Sequence, residues 1–343
     1  MAENPEETKI SPAPQLRGCD LFCGTGAFSY AMKANGIEVV FASDMKAESQ
    51  KMYEANFPGE RFHCGDINEL APEDIPAHDV LTAGFPCVSF STLGKRLGFK
   101  DPRARTLEKV VAIAEHHKPR VIVIENVKNL LTHDGGASYA TVCDMFKAVG
   151  YTVKSTVLDT AKVSNLPHHR ERLYITCLLD PDAAARLDMD YPRVLPDPFR
   201  NFLQKTPVPD KYYYSDRYPC WPKLVESVKR TDRLYQLRSF KGGYVREVPI
   251  LPCMTGGMGS GGHQVCFVLD GVLGDRIRKL TPRECYNLQG FPSTHVIDAQ
   301  GLSDTRLYVL CGNSVSLPVV EMVLGRALAA GAPTNHSSIE QAL

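Results

Sequence analysis

Short apolar runs alternate with segments of helical spacing over the first half of the chain. The strand-like runs are GCDLF (18–22), EVVFAS (38–43), DVLTAGF (79–85), RVIVIEN (120–126), YTVKSTVL (151–158) and RLYITCLL (172–179). Between the first four lie helix-like patterns at 27–35, 46–56 and 105–117. This alternation predicts an α/β fold with a doubly wound, mostly parallel sheet. The pattern then breaks. Seven prolines fall between Pro192 and Pro222, which disfavours helices and inner strands there. The glycine cluster TGGMGSGGHQ (255–264) reads as a loop that must approach something closely. Helical spacing resumes at TPRECYNLQ (281–289) and in CGNSVSLPVVEMVLGRALA (311–329). The expected organisation is a disordered lead-in at 1–15, a large domain at 16–187, a smaller domain at 188–300, a segment at 301–330 returning to the first domain, and a tail at 331–343.

Composition narrows the class. With 43% hydrophobic and 23% charged residues, the chain reads as an ordinary globular protein. No apolar run is expected to reach the ~20 residues of a bilayer span, and MAENPEETKISPAP is neither a secretory signal nor a transit peptide. Eleven cysteines without a CxxC pair suggest reduced thiols in an intracellular compartment, cytoplasm or nucleoid (nucleus in a eukaryote), and no zinc-ligand spacing occurs, so no metal site is expected. Net charge is zero, from 39 basic and 39 acidic residues, but it is unevenly placed. Between Phe199 and Pro249 eleven Lys/Arg face five Asp/Glu among ten aromatics, and Thr92–Lys109 carries six basic residues against two acids. Two basic segments on an otherwise acidic body fit a polyanion held at one face.

The candidate chemistry lies at strand ends. Pro86-Cys87 in GFPCVSFS (84–91) puts a thiol where α/β sheets place ligands, at the carboxyl end of a strand. Gly24-Thr25-Gly26 forms a turn after the first strand, and Asp44 ends the second. That pattern admits a dinucleotide or another nucleoside. Asp20 beside the turn would repel a pyrophosphate yet suit the ammonium and sulfonium of S-adenosylmethionine, with Asp44 on the ribose hydroxyls and Asp66 on the adenine amino group. A thiolate such as Cys87 can add to carbon-6 of a pyrimidine and make carbon-5 nucleophilic toward a sulfonium methyl. The ring then gathers negative charge, which Glu125 can relieve as an acid. Arg170 and Arg172, two apart on an extended segment, share a side and can clamp an oxygen or favour the thiolate.

These motifs together resemble the DNA (cytosine-5) methyltransferase family, in particular its stand-alone bacterial-type enzymes. DLFCGTGAFS (20–29) resembles the cofactor loop, GFPCVSFS the nucleophile motif, ENV (125–127) the acid motif and HHRER (168–172) the arginine motif. RKLTPRECYNLQGFP (278–292) and GNSV (312–315) resemble the last two. The resemblance covers roughly 17–180 and 276–328. It implies a Rossmann-like S-adenosylmethionine-dependent enzyme with Cys87 as nucleophile, Glu125 holding a flipped cytosine, and Arg170 and Arg172 in support. It further implies cofactor contacts from Phe22, Cys23, Gly24, Thr25, Gly26, Asp44, Met45, Asp66, Ile67, Leu107, Asn313 and Val315. The smaller domain takes the place of the target-recognition region.

A base inside a duplex must be extruded before carbon-6 can be attacked. The stretch after Cys87, with Gly94 and Gly98 as pivots, therefore reads as a basic lid. Ser91, Gly94, Lys95 and Arg96 are expected at the DNA there, and Gly256 and Gly257 at base edges in the major groove. The expected partner is duplex DNA, with no membrane or obligatory protein partner, and the expected state is a monomer. The absence of appended regulatory domains favours a microbial, stand-alone enzyme, with a restriction-modification pair, a phage and a eukaryotic host all open as its setting.

The chain departs from the family pattern in four places: His168 for a usual Gln, Ala27 for a common glycine, Met45 for an aromatic or branched residue, and Ala104-Arg105, with one extra residue, for the glycine usual after DxR in the family's mobile loop. The rival readings are a tRNA cytosine-5 methyltransferase of the same family, whose Cys-Phe-Thr signature is absent, and a catalytically silent nucleic-acid-binding module. A zinc deaminase is excluded because Phe90 stands where its second cysteine would be.

Overall fold

The computed structural model describes residues 15–85, 102–238, 243–259, 265–271, 276–298 and 301–332, with side chains from 105 onward in the second stretch. Its centre is a seven-stranded sheet built from β1 (Arg17–Leu21), β2 (Glu38–Asp44), β3 (Phe62–Cys64), β4 (Val80–Ala83), β5 (Val121–Val127), β6 (Thr152–Asp159) and β7 (Glu171–Leu178). The strands lie in the order β3-β2-β1-β4-β5-β7-β6. Pairing is parallel from β3 to β5, while β7 runs antiparallel to both β5 and β6. The middle strands β4 and β5 are apolar almost throughout because helices cover both faces of the sheet.

The helices are α1 (Ala27–Ala34), α2 (Ala47–Asn56), α3 (Pro102–His117), α4 (Ala137–Ala148), α5 (Thr160–Val163) and α6 (Pro181–Arg186). Edge strand β3, three residues long, is too short for its alternation to be read. Helix α4 was also absent from the sequence reading. It starts after Asp134, Gly135 and Gly136, all at positive φ, and buries only Ser138, Val142, Cys143 and Phe146.

Beyond α6 the chain forms α7 (Trp221–Ser227) and a four-stranded antiparallel sheet of β8 (Leu234–Arg238), β9 (Tyr244–Val248), β10 (Cys266–Asp270) and β11 (Arg276–Lys279), ordered β11-β10-β8-β9. Residues on β10 alternate between two cores. Val265, Phe267 and Leu269 join a local cluster with Leu224 and Tyr235, whereas Cys266 and Val268 belong to the large core that also holds Phe28 and Val320.

The chain then returns to the large sheet through α8 (Pro282–Leu288), α9 (Asp304–Asn313) and α10 (Leu317–Ala330). The helical spacing expected from 311 to 329 is interrupted. Ser314 and Ser316 are extended, because Pro318 in the first turn of α10 cannot continue a preceding helix. The break is stitched by Thr160 Oγ1 donating to Ser316 Oγ (2.8 Å) and Ser316 Oγ donating to Gln289 Oε1 (3.0 Å). By length and composition the stretch Asp304–Ala330 is apolar enough to cross a membrane, contrary to the expectation that no run is. It is broken at Ser314–Ser316, and 72% of its most apolar window is buried in the protein.

A buried charge network fastens the smaller sheet to α8. Arg278, on β11, gives both terminal nitrogens to Glu284 at 2.8 Å, and its Nε donates to Asp270 at 3.0 Å. Glu284 also accepts from the Thr281 N–H at 2.9 Å, closing a capping box at the start of α8. Removing one partner of such a set leaves uncompensated buried charge. Arg278→Ala is therefore expected to lower unfolding free energy by about 3–5 kcal/mol, measured by urea titration.

Candidate active site

A cleft of about 580 Å³ opens along the carboxyl edge of the large sheet, at the point where strand order reverses between β1 and β4. Each wall follows from a strand end. Phe22, Cys23 and Gly24 follow β1, Asp44 and Met45 come at the end of β2, and Asp66 and Ile67 follow β3. Gly84 and Phe85 follow β4, while Asn313 and Val315 come from the break between α9 and α10. Because β7 is reversed, its first residues meet the last residues of β5. Glu125 lies opposite Tyr174 and Val127 opposite Arg172, so Glu125 and Arg172 share one face.

The turn after β1 is set by backbone geometry. Phe22 has φ 59°, a left-handed conformation costly for a side chain, and Gly24 and Gly26 have φ 54° and 82°. A β-carbon on Gly26 would lie 2.3 Å from the Phe57 ring, so glycine is required there. The Gly24 N–H donates to Asp44 Oδ2 (3.0 Å), and the Lys46 N–H to Asp44 Oδ1 (2.9 Å). Asp66 caps the short turn that follows it, accepting from the Asn68 N–H at 3.0 Å. Thr25 and Gly26 do not line the cleft. Thr25 is buried and bonds Ser314 (Oγ1···Oγ 3.0 Å), tying the turn to the C-terminal segment. The Leu107 side chain lies in the core behind, and Thr106 faces the cleft instead. Met45 lines the cleft while 69% exposed, which suits a residue that packs only when a ligand is present.

Asp20 does not stand where the argument against a pyrophosphate put it. It is wholly buried behind the turn, with Ser29 Oγ (2.7 Å) and Thr82 Oγ1 (3.0 Å) donating to it. The acids that line the cleft are Asp44, Asp66 and Glu125.

Glu125 is buried, with its Oε1 3.0 Å from Arg172 Nε, an ion pair without the alignment of a directed hydrogen bond. Burial raises its pKa, and Arg172 and Arg170 offset this only in part. Arg172 also donates to the Glu171 carbonyl (2.8 Å). Arg170 has a different job. Wholly buried, it donates to the carbonyls of Met254 (3.2 Å), Gly312 (3.3 Å) and Ser314, the last two at the C-terminus of α9. Asn126 was missed by the sequence reading although it stands in the ENV triplet. Its Nδ2 donates to the Phe85 carbonyl (3.1 Å), fixing the chain ahead of Pro86.

Cys87, Ser91, Gly94, Lys95 and Arg96 lie outside the described residues. Gly256 and Gly257 belong to a turn packed on α9, where a β-carbon at Gly256 would sit 3.4 Å from Val309 Cα, and Gly257 is exposed. A β-carbon on Gly312 would in turn lie 2.3 Å from the Thr255 carbonyl carbon. Close packing of turn and helix therefore accounts for Gly256 and for Gly259, where a β-carbon would meet the Tyr308 ring, and not for exposed Gly257. All ten described cysteines are free. Among the described residues no three His, Cys, Asp or Glu are grouped to hold a metal.

Comparison with known proteins is consistent across sequence and structure. The model of the C-5 cytosine-specific DNA methylase family matches residues 16–328. The chain is 34% identical over 318 residues to the Type II methyltransferase M.Bsp6I of Bacillus sp. (strain RFL6), covering 90% of this chain and 97% of that one. It is 36% identical over 315 residues to the Type II methyltransferase M.HaeII of Haemophilus aegyptius, covering 91% and 92%. Among solved structures, the Entamoeba histolytica methyltransferase EhMeth superposes with a TM-score of 0.71 at 18% identity, covering 94% of this chain and 100% of that one. The S. pombe Dnmt2 methyltransferase gives 0.69 at 19% identity, with 92% and 98% covered. At these identities the solved structures speak to the fold.

Burial pushes the Asp20 carboxyl up to about 7, against the hydrogen bonds from Ser29 and Thr82. In the unfolded chain it would ionise near ~4. The folded state thus retains a proton between these values, and the stability this group contributes is lost as pH rises through about 7. Asp20→Asn removes the titration. The fall in urea midpoint between about pH 5 and about pH 8 is expected to be smaller in the variant than in the unsubstituted protein.

Proposed function

The chain belongs to the C-5 cytosine-specific DNA methylase family, and on that premise we propose that it flips its target cytosine out of duplex DNA and methylates it through a covalent cysteine adduct. The protein is a DNA (cytosine-5-)-methyltransferase that uses S-adenosylmethionine. The observation that carries the mechanistic reading is the Glu125–Arg172 pair: a buried carboxyl, its pKa raised by burial, beside a cation at the end of β5, the strand next to β4, which leads to Pro86-Cys87.

In this reading the Cys87 thiolate adds to carbon-6 of the cytosine. Glu125 gives a proton or a strong hydrogen bond to ring nitrogen 3, so charge does not accumulate on the ring. The S–C6 bond formed in this way makes carbon-5 nucleophilic. Bound S-adenosylmethionine supplies the electrophilic methyl group. Carbon-5 takes this methyl as the sulfonium–methyl bond breaks and S-adenosylhomocysteine is left. The carbon-5 proton then leaves to a base, the N3 proton returns to Glu125, and the S–C6 bond breaks to release the thiolate. Arg172 holds Glu125 in place, and Arg170 supports the site by joining its walls.

The cleft fits the donor. Phe22, Ile67 and Val315 offer apolar contact, Asp44 an acceptor for ribose hydroxyls, and Asp66 one for an adenine amino group. The smaller lobe is taken as the target-recognition region. Its cations at Arg230 and Arg233 are held in exposed pairs with Asp232 and Glu247, which exchange cheaply for phosphate contacts. The enzyme acts as a monomer here, with DNA as its partner.

Duplex DNA carrying 5-fluorocytosine at the target cannot release a proton from carbon-5, so it should trap a denaturant-resistant complex in the presence of the donor. Cys87→Ser should abolish both the trap and turnover while still binding the donor. A gel showing no adduct with active enzyme would count against the covalent route.

Asp66→Ala is expected to weaken donor binding by about 1–3 kcal/mol, the usual consequence of an unsatisfied buried polar partner, with little change in DNA affinity. Calorimetric titration with S-adenosylmethionine and gel-shift titration with DNA measure the two separately.

A further inference from the structure

We propose that Cys253 is a positioning residue through which the smaller lobe sets the Arg172–Glu125 pair. The inference rests on the methyltransferase reading above. Cys253 Sγ lies 3.8 Å from Arg170 Nη1 and 3.7 Å from Arg172 Nη2, so one sulfur sits between two guanidinium groups. The thiol itself points to the Met254 carbonyl (3.6 Å). With its proton spent there, the sulfur has its lone pairs left to accept from the two cations.

The ledge that carries this sulfur is firmly seated. The His169 N–H donates to the Leu251 carbonyl and the Leu251 N–H to the Pro167 carbonyl, both at 2.8 Å. The Met254 N–H donates to His168 Nε2 at 3.1 Å, while Arg170 donates to the Met254 carbonyl at 3.2 Å. His168 can act as this acceptor only when neutral. Burial, with Arg170 beside it, lowers its pKa well below the usual histidine range and keeps it so.

The Arg172 guanidinium thus has three anchors. Two of them, Glu125 and the Glu171 carbonyl, belong to the large sheet. The third, Cys253, comes from the stretch between β9 and β10 of the smaller lobe. Weakening it would let Arg172 drift along its long side chain and loosen its hold on Glu125. The catalytic acid would then be misplaced without loss of the cofactor cleft, which Cys253 does not line.

The test compares Cys253→Ala with Cys253→Ser in steady-state methylation of duplex DNA, with donor affinity measured by calorimetry. Alanine, which removes the acceptor, is expected to lower kcat about tenfold while KM for DNA and donor affinity stay within about twofold. Serine retains an acceptor and should recover kcat to within about threefold of the unsubstituted enzyme. Should the alanine variant fail to fold, Cys253→Val keeps volume without an acceptor and reads the same quantity. An unchanged kcat in the acceptor-free variant, a loss confined to KM, or a serine variant as impaired as alanine would each overturn the proposal. Turnover by the unsubstituted enzyme separates the two levels of inference. Its absence overturns the methyltransferase reading and this proposal with it, whereas normal turnover beside an indifferent Cys253 overturns the proposal alone.

Discussion

Everything around the cleft depends on the burial of one guanidinium. Arg170 sits immediately before β7 with almost no exposure, and its donors reach Met254 in the smaller lobe and Gly312 and Ser314 in the C-terminal segment. Taking a cation out of water costs several kcal/mol unless its donors are met. Here carbonyl oxygens meet those of the two terminal nitrogens, two of the carbonyls lying at the C-terminal end of α9 where the helix dipole is negative, while Nε is left without a partner. The arrangement therefore forms only when three distant stretches of chain arrive together. Thr25 bonded to Ser314, and Thr160 to Ser316, repeat the same logic in neutral form.

That joint explains how a shallow sheet edge becomes a chemical site. Strand β7 runs against its neighbours, so its leading residues stand over the trailing residues of β5. Arg172 consequently lies beside Glu125, while Arg170, two positions earlier, braces the wall behind. Glu125 is left in a low-dielectric place with a partner that is close but not well aligned. Burial raises the pKa of an acid so placed, and the neighbouring cations pull it back only in part.

Much of this was legible in the chain. Six of the seven central strands announced themselves as apolar runs, the inner ones because strands covered on both faces must be apolar, and half-buried edge strand β6 through its valines and threonines. The glycine turn, Asp44, the acid triplet and the paired arginines were visible because chemistry fixes their types and spacing. What failed to show was anything decided by distant contacts. Asp20 looked like a wall of the cleft, yet Ser29 and Thr82 draw it inward. Arg170 and Arg172 looked like a matched pair, and only tertiary structure separates clamp from partner. Gly256 was read only for an approach to DNA, and the helix that packs against it was not foreseen. Leu107 belongs to the core, with Thr106 beside it facing the opening, a distinction of one helical position.

The spacing of Arg170 from Gly312 also has a consequence in time. At about 5–20 residues per second, a ribosome needs on the order of ten seconds to add the 142 residues that separate them. Throughout that interval the large sheet can assemble, but its buried cation has no carbonyls to receive it and the wall of the cleft from Asn313 to Val315 does not exist. A nascent chain is thus held silent by its own order of synthesis. Competence to modify a base arrives late, with the last two helices, when the smaller lobe that must find the target is already made.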